Sequence, residues 1–97
     1  MNIQITGRHF EITPAIKEFV ETKFARIERH FDHITRFHVI MTAEKNRFLA
    51  EVILHVPSSP EIVAHCESED LYKAIDLLEE KVDHLVMKHK EKIKKHH

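Results

Sequence analysis

The sequence predicts an α+β fold: a β-α-β-β-β-α two-layer sandwich, with two roughly parallel helices on one face of a four-stranded sheet. Three observations predict it. Two long stretches repeat apolar residues every three or four positions, the period of a helix with one buried face. Four shorter stretches alternate apolar and polar residues, the period of a strand with one buried face. The chain has 97 residues, one glycine and three prolines, with no repeat or linker, so residues 1–97 are expected to form a single domain.

The first strand is expected over 2–6, with Ile3 and Ile5 on one face and Gly7 ending it. Thr13-Pro14 marks a helix start: the threonine hydroxyl caps free backbone N–H groups, and proline fits the first helical position. Ile16, Phe19, Val20, Phe24, Ile27 and Phe31 then give a helix over 14–31. Phe37, Val39 and Met41 share one face of a strand over 35–42. Glu44-Lys45-Asn46 reads as a polar turn. Phe48, Ala50, Val52, Leu54 and Val56 share a face of a strand over 47–56. Pro57 and Pro60 break it, since proline lacks the N–H that a ladder needs. Ile62, Ala64 and Cys66 face inward from a fourth strand over 61–67. Ser68 is expected to cap a second helix over 68–97, with Glu69 and Asp70 at the positive end of its dipole. Leu71, Ile75, Leu78, Val82, Leu85, Val86, His89 and Ile93 hold one side of it. A right-handed crossover makes the first two strands parallel. Two hairpins follow, and both helices then run opposite to strands 1, 2 and 4.

Composition excludes several classes of function. A single glycine rules out the glycine-rich loops that cradle phosphates with backbone N–H groups. A single cysteine rules out an intrachain disulfide and any multi-cysteine zinc site. No apolar run approaches a membrane span, and the start lacks the pattern of a secretory signal, so a cytoplasmic protein is expected.

Formal net charge is -1 with histidines neutral, which on its face disfavours a nucleic-acid partner. Placed on helical wheels, the charges separate. In the first helix Lys23, Arg26, Arg29 and His30 lie on one flank of the apolar stripe. Glu18, Glu21, Glu28 and Asp32 lie on the other flank and the back, with Lys17 as the exception. In the second helix Lys81, His84, Lys88, Lys92 and Lys95 form a basic stripe. Asp76, Glu79, Glu80, Asp83 and Glu91 are assigned to the opposite flank. The rotation from apolar to basic has the same sense in both. Residues 84–97 carry five lysines against one acid, whereas residues 1–83 carry 10 Lys+Arg against 15 acids. Solvated helix faces and lysines complementing a helix C-terminus explain such charges plainly. Segregated stripes, however, build a directed field that suits an anionic polymer.

Other chemistry finds less support. His30-x-x-His33 and the His84, His89 pair approach ligand spacing but lack the H-E-x-x-H pattern, so no metal site is assigned. His55 and His65 fall on the outer face of the third and fourth strands. Cys66 and His65 point to opposite faces, which removes a nucleophile–base pair. No carboxylate is placed in an apolar pocket as a general acid requires. The chain reads as a non-enzyme without a cofactor. Leu49 and Ile53 put some apolar area on the outer sheet face, which keeps open a protein–protein contact there.

Two segments resemble a known family. Ile5-Thr6-Gly7-Arg8, followed by Ile12-Thr13-x-Ala15-Ile16-Lys17-x-Phe19-Val20, is similar to the opening of ribosome hibernation promoting factors and the related ribosome-associated inhibitor. Asp70-Leu71-Tyr72-x-Ala74-Ile75-Asp76, followed by Lys81 and a lysine-rich end, resembles their second helix. The resemblance implies a domain that binds the small ribosomal subunit where mRNA and tRNA lie. It implies silencing of translation under stress or in stationary phase. Ending at the second helix resembles the short form, which promotes ribosome dimers with a ribosome modulation factor as functional partner. The alternative is an inhibitor that silences single ribosomes. The implied rRNA-facing set is Arg8, Lys23, Arg26, Arg29, His30, Lys81, His84, Lys88 and Lys92, on a protein that is monomeric when free. Glu79, Glu80 and Asp83 depart from the more basic or neutral residues expected near that surface. Ten histidines further suggest that mild acid adds positive charge and strengthens ribosome binding.

Overall fold

The computed structural model describes residues 3–31, 33–57 and 59–95, with side chains described through Lys90. The elements run β1 (Gln4–Arg8), α1 (Pro14–His30), β2 (Arg36–Glu44), β3 (Arg47–His55), β4 (Ile62–Ser68) and α2 (Leu71–Lys95). The strands lie in chain order β1-β2-β3-β4. The β1–β2 pair is parallel, and the β2–β3 and β3–β4 pairs are antiparallel. The expected element order and the four-stranded sheet with two helices are therefore present.

The core lies between helices and sheet. Val20, Phe24 and Ile27 of α1 are fully buried, as are Ala74, Ile75, Leu78 and Val82 of α2. They meet Val39 and Met41 of β2 and Ala50, Val52 and Leu54 of β3. Phe24 stands edge-to-face on Phe37 at 5.3 Å, an arrangement that aromatic quadrupoles favour.

Three local expectations differ. Gly7 does not end β1; the strand runs on through it and Arg8, with Gly7 opposite Met41. The left-handed backbone position falls instead on His9, at φ 68°. Glycine serves a steric purpose at position 7. A Cβ there would lie 2.6 Å from the Phe10 carbonyl oxygen and 2.9 Å from Ile12 Cγ1. The segment after β1 folds back over the bare Cα.

The start of α2 also shifts. Ser68 ends β4, and Asp70 holds the capping position: its Oδ1 accepts from the Tyr72 N–H at 3.0 Å, and its carbonyl accepts from Ala74. Ser68 Oγ accepts from the Asp70 N–H at 3.2 Å and so braces the cap. In α1 the expected cap holds, with Thr13 Oγ1 accepting from Ile16 at 3.2 Å. Third, Phe48, expected inward, is half-buried and packs edge-on against Phe10 at 5.8 Å. Asn2 and Asp32 lie outside the described residues, as do the side chains of Ile93 and Lys95.

On the outer sheet face the register separates the two strand histidines. His55 lies opposite Arg36, and His65 lies opposite Glu51. Leu49 and Ile53 are half-buried among their cross-strand neighbours, while Val63 is 51% exposed. Ile40 is buried on this same face, between Thr6 and Glu51 in register.

Candidate nucleic-acid interface

The two helices meet along a ladder with a constant offset of 53 in residue number. Phe19 packs edge-on against Tyr72, with ring centroids 4.8 Å apart. Lys23 Nζ lies 2.7 Å from Asp76 Oδ1. Arg26 forks onto Glu79: Nε donates to Oε2 at 3.0 Å and Nη2 to Oε1 at 2.9 Å. His30 Nδ1 lies 3.4 Å from Asp83 Oδ1. A constant offset along this ladder means that the helices run parallel.

This seam is the basic flank of α1 against the acidic flank of α2. It follows from the shared sense of rotation: in parallel neighbours, the basic side of one helix must face the acidic side of the other. Segregating sign within each helix therefore produces pairing between helices. Asp76, Glu79 and Asp83 stand beside the α1 cations rather than apart from them.

The seam is layered. Glu79 is 6% exposed, whereas the Arg26 side chain is 46% exposed. A buried carboxylate is stable only when paired and hydrogen-bonded, and the bidentate guanidinium supplies both. Arg26 Nη2 also lies 3.7 Å from Asp83 Oδ2. The hydrogen bond to Asp76 and its charge raise the Lys23 ammonium above its ordinary value. The Lys23 ammonium sits 5.8 Å from the Phe19 ring centroid.

The α2 basic flank faces the other way. Lys81 Nζ donates to the His65 carbonyl at 3.1 Å, over the β4 edge. Lys73, His84 and Lys88 are exposed, and among the described residues they form no ion pair. Arg29 is exposed in the last turn of α1. The Lys92 side chain lies outside the described set.

Arg8 does not join either flank. It is on the outer sheet face opposite Thr42 and lines a depression of about 390 Å³ with Glu44, Glu51 and His65. On that face Thr6 Oγ1 lies 2.8 Å from His38 Nε2. Burial, with Arg36 and Arg8 adding repulsion, holds the His38 imidazole below its ordinary pKa. Of the nine expected contact residues, Lys23, Arg26 and His30 lie in the paired seam, Lys81, His84 and Lys88 lie on an α2 flank free of ion pairs among the described residues, Arg29 lies at the end of α1 and Arg8 on the outer sheet face, and the side chain of Lys92 is outside the described set. Sequence reasoning missed Lys73, which continues the α2 flank one turn before Leu77.

The profile of the family described as Sigma 54 modulation protein / S30EA ribosomal protein matches residues 3–94. A ribosome hibernation promoting factor of Azotobacter vinelandii is 50% identical over 92 residues, covering 95% of this chain and 85% of that protein. The Escherichia coli K12 protein of the same name is 43% identical over 96 residues, covering 99% of this chain and all of the other. Among solved structures, a ribosomal subunit interface protein from Coxiella burnetii superposes with a TM-score of 0.86 at 37% identity, covering 93% and 98% of the two chains. The N-terminal domain of Thermus thermophilus Protein Y gives 0.82 at 32% identity, covering 92% and 99%.

Proposed function

The chain belongs to the Sigma 54 modulation protein / S30EA ribosomal protein family, and from that premise we propose that it is a ribosome hibernation factor. It binds rRNA of the small subunit in the channel of mRNA and tRNA and silences translation by occupying their space. It acts without catalysis, in the cytoplasm, as a free monomer before it binds. Together with a ribosome modulation factor it promotes ribosome dimers. The observation that carries this reading is near-full-length identity of 43–50% to proteins named ribosome hibernation promoting factor.

The geometry supports a division of labour within the contact set. Lys81, His84, Lys88 and Lys92 on the α2 flank, with Lys73, supply most of the phosphate affinity. Lys23, Arg26 and His30 are partly neutralised by their carboxylate partners, so each adds less. Arg29 joins from the end of α1, and Arg8 makes a separate contact from the outer sheet face. Phosphate contacts of this kind need no base-specific geometry.

Sucrose-gradient sedimentation of ribosomes tests the function. The protein should co-migrate with small subunits. With a ribosome modulation factor added, it should increase the dimer peak. Co-migration without any such increase favours the single-ribosome inhibitor. Absence of co-migration rejects the ribosomal reading altogether.

A further inference from the structure

Beyond α1 the chain turns through Phe31 and His33 and meets the second half of α2. Phe31, His33, Val56, Pro57 and His89 line a half-open depression of about 220 Å³ there. The Phe31 ring stands edge-on to His33, with centroids 6.3 Å apart. It is tilted against His89 at 5.6 Å. Phe31 is buried, His89 is half-buried and His33 is exposed, so the two imidazoles form the accessible walls. Among the described residues that line it, none is a carboxylate. Lys88 and Lys90 flank His89 in the chain, and both are exposed.

These features favour one ligand chemistry. An apolar floor with flat imidazole walls suits a planar heteroaromatic ring. The His89 ring nitrogens can donate to or accept from its polar edge. Lysines outside the depression suit a phosphate attached to that ring. The volume is below the roughly 300 Å³ at which pockets for larger ligands begin, and it fits a single base. Proteins commonly hold unstacked RNA bases against aromatic side chains, histidine among them. A metal ion is less well served, because no group of three ligating side chains occurs among the described residues.

We propose that this depression holds one unstacked base of the RNA whose phosphates the α2 lysines contact. The proposal rests on the ribosomal reading above and adds a base subsite to it. The base stacks on His33 or His89 and covers the floor made by Phe31, Val56 and Pro57. Stacking tolerates any base, so the subsite selects an exposed, unpaired position rather than a letter.

The test separates the subsite from ribosome binding as a whole. Adenosine 5′-monophosphate and ribose 5-phosphate are titrated at constant pH into the full chain. The ring resonances of His33 and His89 are followed by NMR. The nucleotide should shift both rings, and the sugar phosphate should leave them in place. Equal shifts from the two probes, or none from the nucleotide, overturn the proposal. In ribosome binding, a His33→Ala/His89→Ala double variant should lose affinity roughly ten-fold. His89→Gln, which keeps polarity and most of the bulk, guards against a packing defect and should also weaken binding. Parental affinity in both variants overturns the subsite and leaves the ribosomal reading standing. Failure of the parent chain to bind ribosomes rejects that broader reading instead.

Discussion

Arg26 and Glu79 are each explained by the other. The carboxylate is buried against α1, and only the guanidinium fork satisfies both its oxygens. Removing one partner leaves an uncompensated charge in a half-dry seam. Because Arg26 is nearly half exposed, water relieves part of that cost. Glu79→Ala should therefore destabilise the fold by roughly 1–3 kcal/mol, read from the urea midpoint. Gly7 works through sterics, since a Cβ there would press on a backbone carbonyl. Gly7→Ala should cost about 1–3 kcal/mol, comparable to overpacking a core, whereas an unchanged melting temperature would reject the close approach. The sequence marks this glycine as special but not why. The neighbours that forbid a side chain belong to the Phe10–Ile12 segment, whose path only the folded chain defines.

His38 adds a pH dependence at the same scale. Its imidazole titrates below the ordinary 6.5 when folded. Above that value both folded and unfolded forms are neutral, and the group contributes nothing to the pH profile. As pH falls below about 6.5 the unfolded chain gains a proton that the folded one resists, so stability declines. It levels off once pH passes below the folded pKa. Denaturation at pH 7.5 and 5 should show less decline for His38→Gln than for the parent. This runs against the gain in ribosome affinity that the histidine-rich composition suggests in mild acid. The two effects are separable by measuring folding and binding independently.

At the scale of elements, the ladder between α1 and α2 organises the charges. The wheels assign Lys23, Arg26 and His30 to one flank and Asp76, Glu79 and Asp83 to the other. The shared sense of rotation already implies that these flanks meet. The partners are not legible from either helix alone, because the pairing needs the offset of 53, which is set by where the chain leaves β1 for α1 and β4 for α2. Element boundaries follow a similar pattern. Thr13 caps α1 as its position before proline suggests. At α2 three polar residues in succession offer a cap, and Asp70 takes it because it directly precedes the first helical residue. Asp70→Ala should lower stability by about 1 kcal/mol, and Ser68→Ala by less.

For the whole molecule, a net charge of -1 conceals an asymmetric distribution. The last rung of the ladder is His30–Asp83, and α2 continues beyond it to Lys95. Five lysines and one acid lie in residues 84–97, so positive charge gathers where α2 outruns α1. The exposed part of this extension leads into the depression at Phe31. The fold class was legible because every element carries a clear period. The candidate surface was legible as basic stripes, but their unequal roles depend on tertiary pairing. If α2 supplies the phosphate contacts, the two helices should respond differently to the same substitution. The most direct measurement is the salt dependence of small-subunit binding for Lys81→Ala/Lys88→Ala against Lys23→Ala/Arg26→Ala. The α2 pair should weaken binding and flatten the log–log slope by about 0.7–0.9 for each phosphate no longer neutralised, while the α1 pair mainly lowers folding stability. Equal flattening of the slope in both variants, or a slope near zero in the parent, would contradict an α2-centred electrostatic contact.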